Sequence, residues 1–340
     1  MLLGVVIMFT ARISPSTISV ITTYRCTAAC EDCCFECSPK IDKALSFEEI
    51  SEFIVKATHY YPSIKLVVFT GGECFILKEK LFFLITMCTE LGLTTRCVTN
   101  AYWAKNLFRA HSYCQRLIKA GIGEINISTG LSHQEYVSHG TIINAIRALV
   151  ESNIPVLVTV ETDSSTSSCF DKLRSEAIVK DELNKKEPLL KVQVNSWVRF
   201  NKANEIRQIN QTVDSLKYGC DNLFDAIVIT PDKEISACCG ITMSHIDEMH
   251  LGNINQVENY EKQQKDDFLK IWIKTEGAFQ IMKHIGVSDE KLKGINHPCQ
   301  ACVILHKDQE VRKMLLDNYS SHVVRVFNKS KLHEMKGVEI

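Results

Sequence analysis

Residues 18–33 read Ile18-Ser19-Val20-Ile21-Thr22-Thr23-Tyr24-Arg25-Cys26-Thr27-Ala28-Ala29-Cys30-Glu31-Asp32-Cys33. The first six are apolar or β-branched and predict a strand. Three cysteines follow directly at C-x3-C-x2-C spacing. Three thiolates this close do not complete a tetrahedral metal site that takes four protein ligands. They suit three irons of a 4Fe–4S cube, whose usual holders are cysteine thiolates, and leave the fourth iron open. A second triplet, Cys30, Cys34 and Cys37, has the same spacing. Cys26, Cys30 and Cys33 are preferred because Cys26 directly follows the strand. A structural zinc knot is the alternative for either triplet.

Outward from this stretch the chain alternates strand-like and helix-like runs. Strands are predicted at Ile18–Thr23, Lys65–Thr70, Thr94–Thr99, Glu124–Ser128, Pro155–Glu161 and Lys191–Val198, each short and rich in Val, Ile and Thr. Between them lie helical patterns, the first opened by the capping box Ser46-Phe47-Glu48-Glu49 and running to about His59. Others cover Lys78–Leu91, Asn106–Ala120, Ile142–Glu151 and Phe170–Leu183. Strand–helix alternation implies a parallel sheet with right-handed crossovers, an α/β fold.

At 340 residues the chain has room for one large domain or two ordinary ones. A hydrophobic fraction of 45% with 23% charged residues is that of a soluble globular protein. A net charge of −1 gives no basic footprint for nucleic acid. Met1–Phe9 is apolar but too short to span a bilayer, and without a basic flank it is a poor signal peptide, so an edge strand is expected there. Fifteen cysteines without a signal peptide point to metal sites or buried thiols in a reducing, cytoplasmic setting.

A strand ending in Cys26, Cys30 and Cys33 resembles the signature of the radical S-adenosylmethionine (radical SAM) superfamily, except that Asp32 stands where an aromatic residue is usual. The resemblance implies a partial (β/α)6 TIM-like barrel, with the chemistry at the C-terminal ends of its strands. Thr70-Gly71-Gly72-Glu73 resembles the family's GGE motif. There Gly71, Gly72 and Glu73 would hold the amino group of the cofactor's methionine, glycines allowing close backbone approach. By the same resemblance Thr99, Asn100 and Ser128 would line the cofactor site, Ser128 at the ribose. Four polar features at four successive strand ends argue against the zinc knot.

After Gly219 the character changes. Cys220 precedes a predicted hairpin, Ala226–Thr230, Pro231-Asp232-Lys233-Glu234 and Ile235–Cys239. Leu251-Gly252-Asn253-Ile254 and Cys299-Gln300-Ala301-Cys302 follow. This order resembles the SPASM/Twitch extension of radical SAM enzymes. Five cysteines are too few for two auxiliary clusters, so the resemblance implies one auxiliary 4Fe–4S cluster. Its expected ligands are Cys220, Cys238, Cys299 and Cys302, with Cys239 the alternative to Cys238. A four-cysteine zinc site is the other reading, disfavoured by the upstream triplet. Lys233 stands where the family has a glycine. Two domains are expected, 1–205 for the barrel and 206–340 for the extension with C-terminal helices.

The cofactors implied are the SAM-binding 4Fe–4S cluster, S-adenosylmethionine and the auxiliary cluster, with flavodoxin or ferredoxin as electron donor. The resemblance implies an oxidoreductase that abstracts hydrogen from a peptide or protein, leading to crosslinking, epimerisation or oxidation. The alternatives are dehydrogenation of a small molecule such as an amino sugar, and a non-catalytic metal-binding interaction module, against which Gly71-Gly72-Glu73 argues. Fewer than thirty residues precede Cys26, which leaves no room there for a leader-binding domain and implies a separate leader-binding partner or none. Cys34 and Cys37 are candidate hydrogen donors, and Cys74 and Cys239 further thiols for that role. Glu36 and Glu161 lie at the right end of the barrel for a base. Helix Gln309–Leu316 reads as structural, and the apolar patch Val323–Phe327 as an extra strand or a partner contact.

Overall fold

A computed structural model describes residues 10–31, 33–162, 168–196, 214–238, 240 and 245–336. The chain forms two compact units, one of residues 16–196 with the hairpin tip Val228–Glu234, the other of residues 10–15, 214–227 and 235–336. The boundary expected at 205/206 lies outside the described residues. So does the strand expected at Met1–Phe9.

The first unit is built on six parallel strands in the order β6-β5-β4-β3-β2-β1. They are β1 Thr17–Ile21, β2 Leu66–Thr70, β3 Thr94–Thr99, β4 Glu124–Thr129, β5 Val156–Thr162 and β6 Leu190–Ser196. All six expected strands are present. Trp197 and Val198, the expected end of the last, lie outside the described residues. Helices α1 Phe47–Tyr60, α2 Glu79–Glu90, α3 Leu107–Ala120, α4 Leu131–Gln134, α5 His139–Glu151, α6 Ser168–Ser175 and α7 Ala177–Leu183 make the crossovers. The Ser46 capping box forms as expected, and α1 buries Ile50, Phe53, Ile54 and Ala57 along one face. Helix α5 starts before Ile142 because Ser138 caps it. The single helix expected over Phe170–Leu183 is two, divided at Glu176, whose backbone is extended and whose carboxylate meets His139 Nε2 at 2.9 Å.

Period-two alternation sorts the two faces of the sheet. Val67, Phe69, Cys97, Ile125, Ile127, Val158 and Val160 are buried. The other face carries Arg96, Glu124, Asn126, Ser128, Thr159 and Gln193. Ser128, Thr159 and Gln193 share one rung, tied where the Gln193 amide donates to Thr159 Oγ1 at 3.1 Å. The turns after β2 and β3 are anchored by stacked rings, Phe75 on Trp103 at 5.2 Å and Trp103 on Tyr113 at 5.3 Å.

In the remainder of the chain β7 Ala226–Ile229 and β8 Glu234–Ser236 form the expected hairpin. Lys233 takes φ +62°, the left-handed backbone that explains why a glycine suits this turn. Strand β9 His250–Asn253 and helices α8 Phe268–Glu276, α9 Ala278–His284, α10 Asp289–Leu292, α11 Pro298–Lys307, α12 Gln309–Asn318 and α13 Val323–Lys336 follow. The Val323–Phe327 patch is therefore the first turn of a helix, which corrects the strand expectation. Arg325 and Lys329, one turn apart on α13, both pair with buried Glu276 of α8, and Val326 is fully buried. No helix among the described residues is long and apolar enough to cross a membrane.

Removing two methyl groups from the α13 contact should be felt. Val326→Ala should lower unfolding stability by about 2 kcal/mol, whereas Val324→Ala, at a position 65% exposed, should change it little. Denaturant titration of both variants checks this.

Candidate active site

The cysteine loop leaves the C-terminal end of β1 and is bound to the end of β2 chiefly by backbone, with the Thr22 hydroxyl donating to Thr70 O at 2.9 Å. Gly72 N donates to Thr23 O at 2.7 Å and Glu73 N to Arg25 O at 3.1 Å. A Cβ on Gly72 would lie 2.2 Å from the Arg25 carbonyl oxygen, and one on Gly71, at φ +115°, 2.6 Å from Thr23 O. Both glycines are thus demanded by the chain itself. Thr22 and Leu45 close the far side of the loop, Leu45 N donating to Thr22 O at 3.0 Å. The hairpin tip adds a clamp: the Tyr24 hydroxyl donates to Asp232 at 2.6 Å, and Lys43 pairs with the same carboxylate.

Within the loop, Cys26 Sγ accepts from Ala28 N at 3.4 Å and from the Asn100 side-chain amide at 3.6 Å. Asn100 also donates to Thr27 Oγ1 at 3.0 Å, so the end of β3 holds the loop in place. Burial pushes the Cys26 thiol up to about 11 and the Cys30 thiol up to about 12. Cys33 goes the other way, down to about 6, because the Cys37 thiol donates to it; Cys37 is raised for the same reason. Burial raises Cys34. Cys26, Cys30 and Cys33 lie within electrostatic reach of one another. Among the described residues no three His, Cys, Asp or Glu side chains converge into a metal-holding geometry. The donor set nonetheless suits an iron–sulfur cube: the hydrogen bond from Cys37 favours the thiolate of Cys33, and a coordinating cation deprotonates a thiol outright.

Glu73 does something the sequence did not announce. Its side chain is fully buried, and its carboxylate accepts from Phe75 N at 3.1 Å, Thr99 Oγ1 at 2.9 Å and Asn100 N at 2.9 Å. It fastens β2 to β3 rather than facing outward, and Thr99 and Asn100 are 2% and 6% exposed beside it. Burial raises the Glu73 carboxyl to about 7 against the pull of these donors. Gly71, Gly72 and Ser128 remain partly exposed.

No family model matches the chain. Over 226 residues, covering 66% of this chain and 69% of that protein, it is 24% identical to YydG of Bacillus subtilis (strain 168), a protein provisionally assigned to peptide biosynthesis. The fold is similar to that of native anSMEcpe with bound AdoMet, at TM-score 0.55 and 13% identity over 93% of this chain and 100% of that one. It is also similar to anSMEcpe with bound AdoMet and the Cp18Cys peptide, at TM-score 0.51 and 11% identity over 93% of this chain and 99% of that one.

These likenesses to solved structures show the fold. The described site lies at the C-terminal ends of the parallel strands.

Of the remaining predicted cysteines, Cys220, Cys238 and Cys299 lie within electrostatic reach of Cys302. Cys302, 9% exposed, has its thiol raised by burial and then by Cys238, Cys299 and Cys220 around it. Cys220 N is tied to Ile273 O at 3.0 Å, and Gly219 permits this because a Cβ there would strike Lys274 O at 1.9 Å. Cys238 Sγ accepts from Gly240 N at 3.1 Å. Cys239 lies outside the described residues. Two histidines stand among these thiols: His297 caps α11, accepting from Cys299 N at 3.1 Å, and His306 Nδ1 lies 3.7 Å from Cys302 Sγ. Neither has a spacing signal in the sequence. Of the two candidate bases, Glu36 is exposed, while Glu161 is 6% exposed and meets His133 Nδ1 at 2.8 Å. His133 was not singled out by sequence; it lies three residues beyond Gly130, with no motif around it.

Gly72→Val should push Arg25 away and unfasten the loop, so backbone amides over 22–45 should lose protection in hydrogen exchange. Gly140→Ala, where an added Cβ meets nothing within 4 Å, is the control and should leave them unchanged.

The raised Glu73 carboxyl also has a pH consequence. Its folded pKa, about 7, exceeds the ordinary 4.5, so the contribution is fully present below 4.5 and is lost as pH rises through 7. Stability should fall by about 3 kcal/mol across that window, and Glu73→Gln should flatten the slope in denaturant titrations taken at successive pH values.

Proposed function

We propose that this chain is a radical SAM enzyme that modifies a peptide or protein, abstracting hydrogen from a side chain or α-carbon. The observation that carries the reading is the cysteine loop sewn backbone-to-backbone onto Gly71-Gly72-Glu73 and braced by Asn100, at the mouth of a parallel sheet. Cys26, Cys30 and Cys33 would hold the cofactor cube, and Gly71, Gly72 and Ser128 would face S-adenosylmethionine, with Glu73, Thr99 and Asn100 fixing their backbone. When bound, the cube and S-adenosylmethionine supply a 5′-deoxyadenosyl radical. The protein's part is to position the substrate and exclude water. The polar sheet face of Arg96, Asn126, Ser128, Thr159 and Gln193 offers hydrogen-bonding groups to a peptide backbone or polar side chain.

The peptide substrate class is supported by the 24% identity to YydG, whose assignment is to peptide biosynthesis, and by the fold shared with anSMEcpe, which was solved with a peptide. Cys220, Cys238, Cys299 and Cys302 would hold one auxiliary 4Fe–4S cluster, a reading supported by the grouping of the other three around Cys302. Cys34 and Cys37 remain the candidate thiols for hydrogen return.

The test is metal analysis with co-expression. Anaerobically reconstituted protein should carry about eight irons and cleave S-adenosylmethionine reductively, since each cysteine group suits one cube. A triple Cys26/Cys30/Cys33→Ala variant should keep about four and cleave none. Normal cleavage by Cys33→Ala with loss in Cys37→Ala would shift the ligands to Cys30, Cys34 and Cys37. Stoichiometric zinc in the triple variant would make the second group a zinc knot. Short peptides encoded beside the chain's gene, co-expressed with it, should change mass; no change in any of them would remove the peptide reading.

A further inference from the structure

A cavity of about 320 Å³ among the C-terminal helices takes no part in the function proposed above. α8, α11, α12 and the turn that follows α12 line it. Its walls are largely apolar and aromatic. Phe268 and Trp272 of α8 stand with ring centroids 5.5 Å apart, and the Tyr319 ring lies 6.2 Å from Phe268. Leu315 and Leu316 of α12 complete this lining. Trp272 and Leu315 are buried, whereas Leu316 is 66% and Tyr319 43% exposed, which marks the side open to solvent.

Four of the polar groups at this cavity already answer one another. Lys270 Nζ pairs with Asp267 at 3.1 Å, and Arg312 with Glu248 at 3.4 Å, so two cations face two carboxylates. The Trp272 indole N–H is taken by Glu276 at 2.8 Å. His306 also lines the cavity and is 6% exposed. A carbonyl oxygen only accepts, so His306 Nδ1 donates to Cys302 O at 2.8 Å. The other ring nitrogen, Nε2, has no hydrogen-bond partner among the described residues. An unpaired polar atom on a buried side chain is costly, and a ligand that reaches it removes the cost.

We propose that this cavity binds the phenol side chain of a tyrosine carried by a polypeptide, with the phenol hydroxyl hydrogen-bonded to His306 Nε2. The paired charges call for a neutral occupant. The rings of Phe268, Trp272 and Tyr319 call for an aromatic one. A hydroxyl both donates and accepts, so it pairs with the imidazole in either protonation state, whereas an indole N–H only donates. The volume lies at the low end of ligand sites, which run from about 300 to 1,000 Å³, and suits a single ring. The rest of the ligand stays outside, past Leu316 and Tyr319, as the main chain of a polypeptide does. The proposal does not rest on the peptide-modifying reading, and its test involves no turnover.

The experiment is isothermal titration calorimetry on the anaerobically reconstituted full chain. N-acetyl-L-tyrosinamide should bind one site with a Kd of about 1 mM or tighter. N-acetyl-L-phenylalaninamide should bind about tenfold more weakly, for want of one hydrogen bond. His306→Phe should remove that discrimination. Leu316→Glu, a change at an exposed position that leaves folding intact, should weaken the tyrosinamide roughly fivefold or more by placing a charge at the opening. A short blocked peptide with one central tyrosine should bind at least as tightly as the amide. Equal binding of the two amides by the wild type overturns the proposal, as does no saturation below about 10 mM. Tyrosinamide binding that Leu316→Glu leaves unchanged places the ligand elsewhere and also overturns it. Binding of 4-methylphenol without binding of the peptide would assign the cavity to a free phenol and overturn the polypeptide source.

Discussion

The site depends on two backbone hydrogen bonds, from Gly72 N to Thr23 O and from Glu73 N to Arg25 O. They lock the end of β2 against the residues that lead into Cys26. Strand pairing of β1 with β2 runs from Thr17 with Leu66 to Ile21 with Thr70, and these two bonds carry the contact beyond the strands. Side chains cannot enter the seam, since a Cβ on either glycine would overlap a carbonyl oxygen. A neutral hydrogen bond contributes only about 1 kcal/mol net. The seam therefore acts less through its strength than through its exclusion of every other backbone path.

Much of the fold was legible in the sequence because its signals are local. Six β-branched runs separated by helical patterns alternate as a parallel sheet with crossovers, and the Ser46 capping box opens its helix as its spacing suggests. The misreadings are local failures too. Val323–Phe327 is apolar enough for a strand, but Val326 is buried and Arg325 and Lys329 both answer Glu276, a helical pattern set by a partner far away in sequence. Phe170–Leu183 contains no Gly or Pro, so nothing in it announces the break at Glu176.

The site was legible in its cysteines and glycines and not in its carboxylates. Cysteine spacing survives folding because the loop is short. Which way Glu73 points is decided by Thr99 and Asn100, more than twenty residues on, whose hydroxyl and backbone N–H take its oxygens. The sequence motif thus marks the right position while leaving the role of the side chain open. His133 and Glu161 are harder still, since they are joined only by the folding of two successive strand ends.

The two cysteine groups proposed as metal sites are drawn from the chain in two ways. The first draws three from one short loop, positioned by backbone bonds to a neighbouring strand and by the Asn100 amide. The second draws four from segments some eighty residues apart, with Cys220 tied by its backbone to Ile273 of α8 and Cys299 and Cys302 carried on α11. A loop-borne group can be displaced by one substitution at Gly72 without unfolding the sheet beneath it. A group gathered from distant segments has no such independence, because a metal bound there ties those segments together and its binding energy is folding energy. The two groups should therefore differ in what their loss does to the protein: for the first, the loss of one site, and for the second, the loss of the fold around it.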